Sequence, residues 1–402
     1  MTINVWGRET QIPLIVSADT GVQSGPAVAD LGFAEFAVAW IDGSSVQLKL
    51  FDEQGNVNPA FQQVVVSDNI SANLSDLQLV GGGAGLGYGI AWSEDNAGVS
   101  LLKFRYYNAV SGAVLGNEIA ISSNAGVAQH DLEISGYNRD DARGKPIIDG
   151  FDTVWVEGAG GAHALGAIYV QRFAVPLDAK KDPSAPPTAA GIDGTVGAGV
   201  DTQLQIAANG RDPSITGLTP HVGGLDETIV TFIDASNNIN IQAYNAAGAL
   251  LNTITGVTQT NVNTAGAPIA SGSQQHVVAL QGGGFVVAWV STSGGDAQLL
   301  GRVFTLGVAG GAWTAGPLTV LDTLAGASNS ITDFKISTLE TDGFSVSWTA
   351  TDAGSQAIFS RTFTNGGVAN EAAAAVFHAP GDTTNVATTG IIGDRYVAVY
   401  QH

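Results

Sequence analysis

The chain has 402 residues, a formal net charge of −21 at pH 7 and no cysteine. The negative charge predicts repulsion from nucleic acid and from anionic lipid, and the missing cysteines exclude disulfides and thiolate metal ligands. No window approaches the roughly 18 uninterrupted apolar residues of a membrane-spanning helix, so we expect no membrane insertion.

Two short apolar segments, 3–6 (INVW) and 12–16 (IPLIV), predict two strands at the start of the chain. They resemble the third and fourth strands of a unit that recurs along the sequence, and the last segment, 395–400 (RYVAVY), resembles its second strand. We therefore expect the first strands to complete the last unit. The first residues lack a basic stretch followed by an apolar one, so no N-terminal signal peptide is predicted.

The recurring unit is marked by a short apolar run that ends in an aromatic residue. Each run combines β-branched and aromatic residues, which is typical of a buried strand. The runs are 36–40 (FAVAW), 88–92 (YGIAW), 151–155 (FDTVW), 228–232 (TIVTF), 285–289 (FVVAW), 344–348 (FSVSW) and 396–400 (YVAVY). Seven runs in 402 residues correspond to a period of about 57 residues, which lies in the range of four-stranded propeller blades.

A second pattern follows most of these runs and predicts the third strand of each unit. It consists of a long polar residue, any residue and an aromatic residue, and a glycine-containing turn often comes next. Examples are 49–51 (KLF), 105–107 (RYY), 242–244 (QAY), 302–304 (RVF) and 361–363 (RTF). An aromatic residue at a fixed place in each unit is predicted to pack between neighbouring sheets.

These patterns predict an all-β protein, a seven-bladed β-propeller closed by pairing of the N- and C-terminal strands within one blade. We expect one domain over residues 1–402. The spacing widens most between the third and fourth runs, where a Pro/Ala/Gly-rich insertion is predicted at about 174–213, in or after the third full blade. Such a loop is either a functional lid or a solvated connection.

Three histidines are the sharpest local signal. If the strand before each run is the innermost strand of its blade, with 221–225 taking this place in blade four, then His130, His221 and His276 open three successive innermost strands. Imidazoles are good ligands for zinc, manganese or nickel, so these residues are candidate ligand or metal contacts. Strand alternation favours a structural alternative, because His130 shares the parity of the apolar residue Leu132 and His276 that of Val278.

The opposite parity of the same strands carries acidic residues. Asp76, Asp131, Glu133 and Asp333 are candidate channel-lining residues. A lining of this kind would hold water or a hard cation such as Ca²⁺. Standard catalytic or nucleotide-binding spacings such as G-x-S-x-G, H-E-x-x-H or a P-loop do not occur, so no catalytic residue is predicted.

Segment 283–289 (GGFVVAW), followed by 301–304 (GRVF), resembles the repeats of large bacterial proteins exported by type I secretion, the RTX-type exoproteins. Segment 342–348 (DGFSVSW) is similar to the first half of that pattern, and 168–173 (IYVQRF) to the second, although Ala174 stands where the pattern has Asp. The resemblance implies a secreted protein that is part of a longer chain, with calcium-binding repeats elsewhere.

The predicted function is a non-catalytic, extracellular binding or spacer module of a larger secreted bacterial protein. Its expected partner is a carbohydrate or a protein surface, and we expect a monomer or one part of a longer chain. The alternative is a metal-dependent polysaccharide lyase or hydrolase that uses a central cluster of His130, His221 and His276. The predicted cofactors are accordingly Ca²⁺ or, in the alternative, a transition metal.

Overall fold

The computed structural model describes residues 2–6, 12–15, 23–32, 35–52, 54–58, 64–67, 73–81, 87–96, 99–109, 112–140, 146–176, 187–190, 203–218, 227–244, 250–251, 254–255, 259–263, 268–270, 272–281, 283–293, 295–306, 313–326, 329–340, 343–352, 355–378, 384–391 and 395–401. These residues form strands and turns. Within them there is no helix that is long and apolar enough to cross a membrane.

The strands are short and follow one another closely along the chain. The first ten are β1 (Thr2–Trp6), β2 (Ile12–Ile15), β3 (Gln23–Gly32), β4 (Glu35–Asp42), β5 (Ser45–Asp52), β6 (Val64–Ser67), β7 (Asn73–Gly81), β8 (Gly87–Asn96), β9 (Val99–Asn108) and β10 (Ile119–Ala120). The next nine are β11 (Gln129–Asp140), β12 (Pro146–Glu157), β13 (Gly166–Pro176), β14 (Thr188–Ala190), β15 (Leu204–Leu218), β16 (Glu227–Asp234), β17 (Ile239–Tyr244), β18 (Leu250–Leu251) and β19 (Ile254–Thr255). The last ten are β20 (Gln275–Leu280), β21 (Gly284–Ser293), β22 (Asp296–Leu306), β23 (Trp313–Leu324), β24 (Ser330–Thr338), β25 (Phe344–Asp352), β26 (Ser355–Phe363), β27 (Ala374–His378), β28 (Thr384–Ile391) and β29 (Arg395–Gln401).

Most strands belong to antiparallel meanders in which sequence neighbours pair. The hydrogen-bonded orders among the described residues are β3-β4-β5-β6, β10-β9-β8-β7, β19-β23-β22-β21-β20, β24-β25-β26-β27 and β2-β1-β29-β28, together with one eight-stranded sheet. The eight-stranded sheet contains two successive meanders, β11-β12-β13 with β14 and β15-β16-β17-β18, which are joined because β13 also pairs with β15.

Each predicted aromatic run lies in the second strand of a meander, as expected: these strands are β4, β8, β12, β16, β21, β25 and β29. The runs are continuously apolar because both faces of the strand are covered. In β4, Phe36 and Trp40 pack in one cluster with residues of β28 and β29, whereas Ala37 and Ile41 pack in another with residues of β7 and β8. The core therefore lies between neighbouring sheets.

The aromatic residue of the third strand packs on the first aromatic residue of the second. The ring centroids of Phe36 and Phe51 are 5.3 Å apart, and those of Phe344 and Phe363 are 5.0 Å apart. All four rings are buried. Phe51 and Phe363 also belong to core clusters that span neighbouring sheets, so the predicted packing role is confirmed for these two residues.

The meanders are arranged around a central channel. Their innermost strands contact one another in the order β3, β7, β11, β15, β20, β24 and β28, and β28 also contacts β3. Radial antiparallel meanders around a channel define a β-propeller. The predicted pairing of the N- and C-terminal strands is present, because β1 pairs with β29 and places Val5 opposite Val397, and β2 pairs with β1.

The prediction for the innermost strand of blade four was wrong. The strand that pairs with β16 is β15, at Leu204–Leu218, and the predicted segment 221–225 lies outside the described residues. Residues 204–213 of the predicted insertion therefore belong to a strand. Apolar and polar residues do not alternate in residues 204–213. Pro213 lies at the bulge, where one extra residue interrupts the pairing of β15 with β16. A proline is tolerated there because a bulge needs no ladder donor.

Candidate binding site in the central channel

A wide cavity of about 690 Å³ occupies one part of the channel. Residues of all the innermost strands, β3, β7, β11, β15, β20, β24 and β28, line it. Its charged lining residues within the described chain are Asp30, Glu133 and Glu340, which are all acidic. A volume of this size lies within the usual range of small-molecule sites, about 300–1,000 Å³.

Hydroxyl groups in the cavity wall join neighbouring innermost strands. The backbone N–H of Gly217 donates to Ser135 Oγ at 3.0 Å, and the N–H of Ala279 donates to Thr216 Oγ1 at 3.0 Å. The N–H of Asp30 donates to Thr389 Oγ1 at 3.1 Å, although the two residues are far apart in the sequence. These bonds fix the wall, so the cavity is formed before a ligand enters.

The innermost strands also approach one another closely. A Cβ atom at position 217 would lie 2.7 Å from the carbonyl oxygen of Gly136 on the neighbouring strand. Glycine is therefore required at position 217 for the two backbones to come together. The narrow spacing brings the side chains of different blades within reach of each other in the channel.

Most innermost strands carry one extra residue near their start. In β7, β11 and β15 the pairing with the second strand skips a residue, and in each the extra residue is an aspartate with a left-handed backbone: Asp76 (φ 49°), Asp131 (φ 53°) and Asp212 (φ 46°). These are β-bulges of the kind in which glycine usually takes the left-handed position. Strand β3 has Gly25 there, with a φ of 56°.

Beyond the bulges, polar side chains stand at a common level in several blades. Each pairs with the residue that precedes the aromatic end of the second-strand run: Gln78 with Ala91, Glu133 with Val154, Ser214 with Thr231, His276 with Ala288 and Lys335 with Ser347. Three of them meet in the channel. Lys335 Nζ lies 3.1 Å from Glu133 Oε1, and His276 Nδ1 lies 3.4 Å from the same oxygen.

Their titration reflects this contact. Burial alone would raise the pKa of Glu133, but the Lys335 ammonium and His276 lower it to about 2. Burial opposes the charge of Lys335, yet Glu133 and Asp333 raise its pKa above the usual value. Burial and the nearby Lys335 charge lower the pKa of His276. Glu133 and Lys335 therefore form a charged pair beside a neutral imidazole.

A second, smaller pocket of about 80 Å³ lies next to this pair. Its polar lining includes Asp76, Asp131, Glu133, Asp212, His276 and Lys335. Glu133 lines both cavities, so its side chain stands between them. The channel is thus divided into a wide cavity and a small, strongly acidic pocket.

Beside the small pocket, Asp131, His163 and Asp212 bring potential metal-ligand atoms within 4.8 Å of one another. His163 belongs to the glycine-rich loop between β12 and β13 and has a φ of 66°. Its Nδ1 lies 2.5 Å from Asp212 Oδ1, and its backbone N–H donates to the carboxylate of Asp131 at 3.1 Å. Arg211 also donates to Asp212. The hydrogen bond to Asp212 raises the pKa of His163.

The two described histidines among the predicted ligand or metal contacts lie at different levels of the channel. His130 is buried before the bulge of β11, opposite Val156, and His276 is opposite Ala288, so the two stand at different levels relative to the second-strand tryptophans. Because of the bulge, His130 and Glu133 lie on the same face of β11. The prediction that His130 shares a face with Leu132 was therefore wrong. His221 lies outside the described residues.

The acidic candidates are distributed as follows. Asp76, Asp131 and Glu133 line the small pocket. The carboxylate of Asp333 instead accepts the N–H of Val386 at 3.0 Å, on the neighbouring innermost strand. Sequence reasoning missed His163 and Asp212. The glycine-rich segment 158–161 before His163 and the isolated Arg211-Asp212-Pro213 are the available signals, and neither resembles a metal-binding motif.

No protein-family model matches the chain, and no curated protein matches it. Among solved structures, it is similar to a six-bladed β-propeller lectin of the fungus Aleuria aurantia, with 12% identity over 89% of this chain and 97% of that chain and a TM-score of 0.44. It is also similar to a lectin from Burkholderia pseudomallei, with 14% identity, coverage of 86% and 97% and a TM-score of 0.40. A prolyl endopeptidase matches at 11% identity, with coverage of 94% of this chain and 44% of that chain and a TM-score of 0.46.

Proposed function

We propose that the protein is a seven-bladed β-propeller that binds carbohydrate in the wide cavity of its channel. The blade count is supported by the contact order of the innermost strands, which runs from β3 through β28 and returns to β3. On this count the eight-stranded sheet comprises two blades. The last blade combines β28 and β29 with β1 and β2.

The main support for carbohydrate binding is the wide cavity. Its wall combines hydroxyl groups and backbone edges with apolar side chains such as Ile134, Ile215 and Ile336. A sugar presents many hydroxyls on an apolar ring, so it matches both kinds of surface. The interstrand hydrogen bonds hold the wall in place, which lowers the entropic cost of binding.

Charge narrows the class of carbohydrate. The acidic lining of the cavity and the net charge of −21 disfavour anionic ligands. A neutral oligosaccharide fits better than a uronic-acid or sulfated chain. A concave cavity of this size also favours a carbohydrate over a flat protein surface, the other predicted partner.

The test is binding of neutral oligosaccharides, first on a glycan array and then by isothermal titration calorimetry. Gln281→Ala and Glu340→Ala remove polar side chains from the cavity, and Gln298→Ala on β22 is a matched control away from it. We expect affinity to fall at least tenfold in both cavity variants and to be unchanged in the control. Equal affinity in all four proteins, or no neutral ligand for the wild type, would contradict the proposal.

We also propose that this module is secreted as part of a larger bacterial exoprotein exported by a type I system. The support is compositional: an acidic chain without cysteine, rich in glycine, with repeats that resemble those of RTX-type proteins. Detection of the protein in culture supernatant, lost when a type I exporter is deleted, is the corresponding test. Protein confined to the cells of its host would contradict it.

A further inference from the structure

We propose that Asp131, His163 and Asp212 form a binding site for a divalent first-row transition metal, with His130 beside it as a further donor. The first three residues come from different parts of the chain, two from bulges of β11 and β15 and one from the loop between β12 and β13. Their ligand atoms converge within 4.8 Å. The site is separate from the wide cavity proposed for carbohydrate.

The buried side chain of His130 supports a metal site in addition to the cluster of ligand atoms. Its side chain is 6% exposed, and among the described residues neither ring nitrogen has a hydrogen-bond partner. Nδ1 nevertheless lies 3.2 Å from Asp131 Oδ2, at an angle that makes no hydrogen bond. A buried imidazole with both nitrogens unsatisfied is costly unless something else meets it. A metal ion held by Asp131 would do so.

The small pocket repeats this pattern. His276 lines it together with Asp131 and Asp212, is 5% exposed, and has an Nε2 atom without a partner in the described part of the chain. Two buried imidazoles near these carboxylates therefore carry nitrogens without a hydrogen-bond partner in the described residues. Such a constellation is unusual for a core that only needs to pack.

The excess of carboxylates in this region also favours binding of a cation. Four carboxylates line the small pocket, from Asp76, Asp131, Glu133 and Asp212, whereas the basic side chains among the described lining residues are Lys335 and His276. A divalent ion would neutralise the negative charge that Lys335 and the adjacent Arg211 do not compensate.

The donor set indicates the class of metal. Two carboxylates and one or two imidazoles suit zinc or manganese. Calcium prefers six to eight oxygen ligands, and nitrogen donors are foreign to it. Supporting contacts are already in place: Arg211 donates to the Asp212 carboxylate, and Gln275 Nε2 donates to the Asp212 carbonyl at 2.9 Å. Such outer contacts orient ligands.

The experiment titrates the chelator-washed 402-residue chain with ZnCl₂, MnCl₂ and CaCl₂ by calorimetry. The metal content after dialysis is measured by plasma mass spectrometry. His163→Asn removes the imidazole and keeps a residue that tolerates a left-handed backbone. Asp212→Asn removes a carboxylate, and Glu118→Gln is a control at the outer strands. Circular dichroism verifies that each variant is folded.

We expect about one equivalent of zinc or manganese in the wild type and in Glu118→Gln. Affinity should fall at least tenfold in both His163→Asn and Asp212→Asn. Cobalt substitution should give a visible absorption band that both variants lose. Three results would overturn the proposal: no metal binding by the wild type, binding of calcium alone, or unchanged binding by the folded His163→Asn variant.

Discussion

Lys335 on β24 and Glu133 on β11 form an ion pair across the channel, with 3.1 Å between Nζ and Oε1. Their strands are not neighbours, because β15 and β20 lie between them in the ring of innermost strands. The pair separates the wide cavity from the acidic pocket. It also joins two distant blades by a single contact.

Replacing Lys335 with Met should destabilise the protein by about 2 kcal/mol, because Glu133 then keeps a charge without its partner. The double variant Lys335→Met, Glu133→Gln should recover most of this loss. Urea unfolding at pH 7 measures both. Since the pKa of Glu133 is lowered from 4.5 to about 2, the stabilisation is present above pH 4.5 and is lost as the pH falls towards 2. A double variant as unstable as the single one would contradict this account.

A second ion pair lies within the meander β11-β12-β13, and its Arg172 also donates to Thr228 Oγ1 on β16 of the next meander, at 3.1 Å. Arg172 donates to both carboxylate oxygens of Asp152, at 2.7 and 2.9 Å, and both side chains are 1% exposed. Arg172→Met should cost about 3 kcal/mol, because Asp152 stays buried and unpaired. The partly exposed pair of Lys103 and Glu118 is the control, and Lys103→Met should cost less than about 1 kcal/mol. Equal losses in guanidinium unfolding would refute the distinction.

Glu227, at the start of β16, should make stability depend on pH near neutrality. Burial raises its pKa from 4.5 to about 7. The folded state therefore binds the proton more tightly, and its stability should fall by about 1 kcal/mol per pH unit as the pH rises from 5 to 7. Glu227→Gln should remove this slope, and Glu118→Gln should keep it. Thermal unfolding at several pH values makes the comparison, and an unchanged slope in Glu227→Gln would count against the assignment.

The close approach of strands β21 and β22 requires glycine at position 284. A Cβ atom there would lie 2.5 Å from the carbonyl oxygen of Phe304 on the paired strand. Gly284→Ala should cost about 2 kcal/mol, because the two strands must move apart. Gly161→Ala, where a Cβ atom meets nothing within 4 Å, should change stability by less than about 1 kcal/mol. The free energies of urea unfolding provide the test, which fails if the two losses are equal.

The second strands and the packing of their aromatic residues could be predicted because burial on both faces leaves a continuous apolar signal. The pairing of the terminal strands could be predicted because each end carries a recognisable part of the repeat. Strand β15 could not, because Pro213 and a run of small polar residues interrupt its alternation. The start of a strand that contains a bulge looks like a loop.

The candidate metal site was harder to predict for a related reason. One extra residue in β11 leaves the local composition unchanged, yet it changes which residues share a face with Glu133. His163 lies in a loop whose path depends on its glycines and on the carboxylate of Asp131. Neither effect appears in the spacing of residues along the chain.

The bulges have a consequence for how this pocket could arise. The pairing of β11 would continue from His130 to Glu133 without a break if Asp131 were deleted, since the partner strand has only one residue between Val156 and Val154. Asp76 and Asp212 stand in the same relation to their own strands. Three of the four carboxylates of the acidic pocket thus belong to extra residues, and Glu133 is the regularly paired one. An insertion or deletion of one codon would add or remove one of these carboxylates. The innermost strand would keep its pairing register with the second strand of the blade.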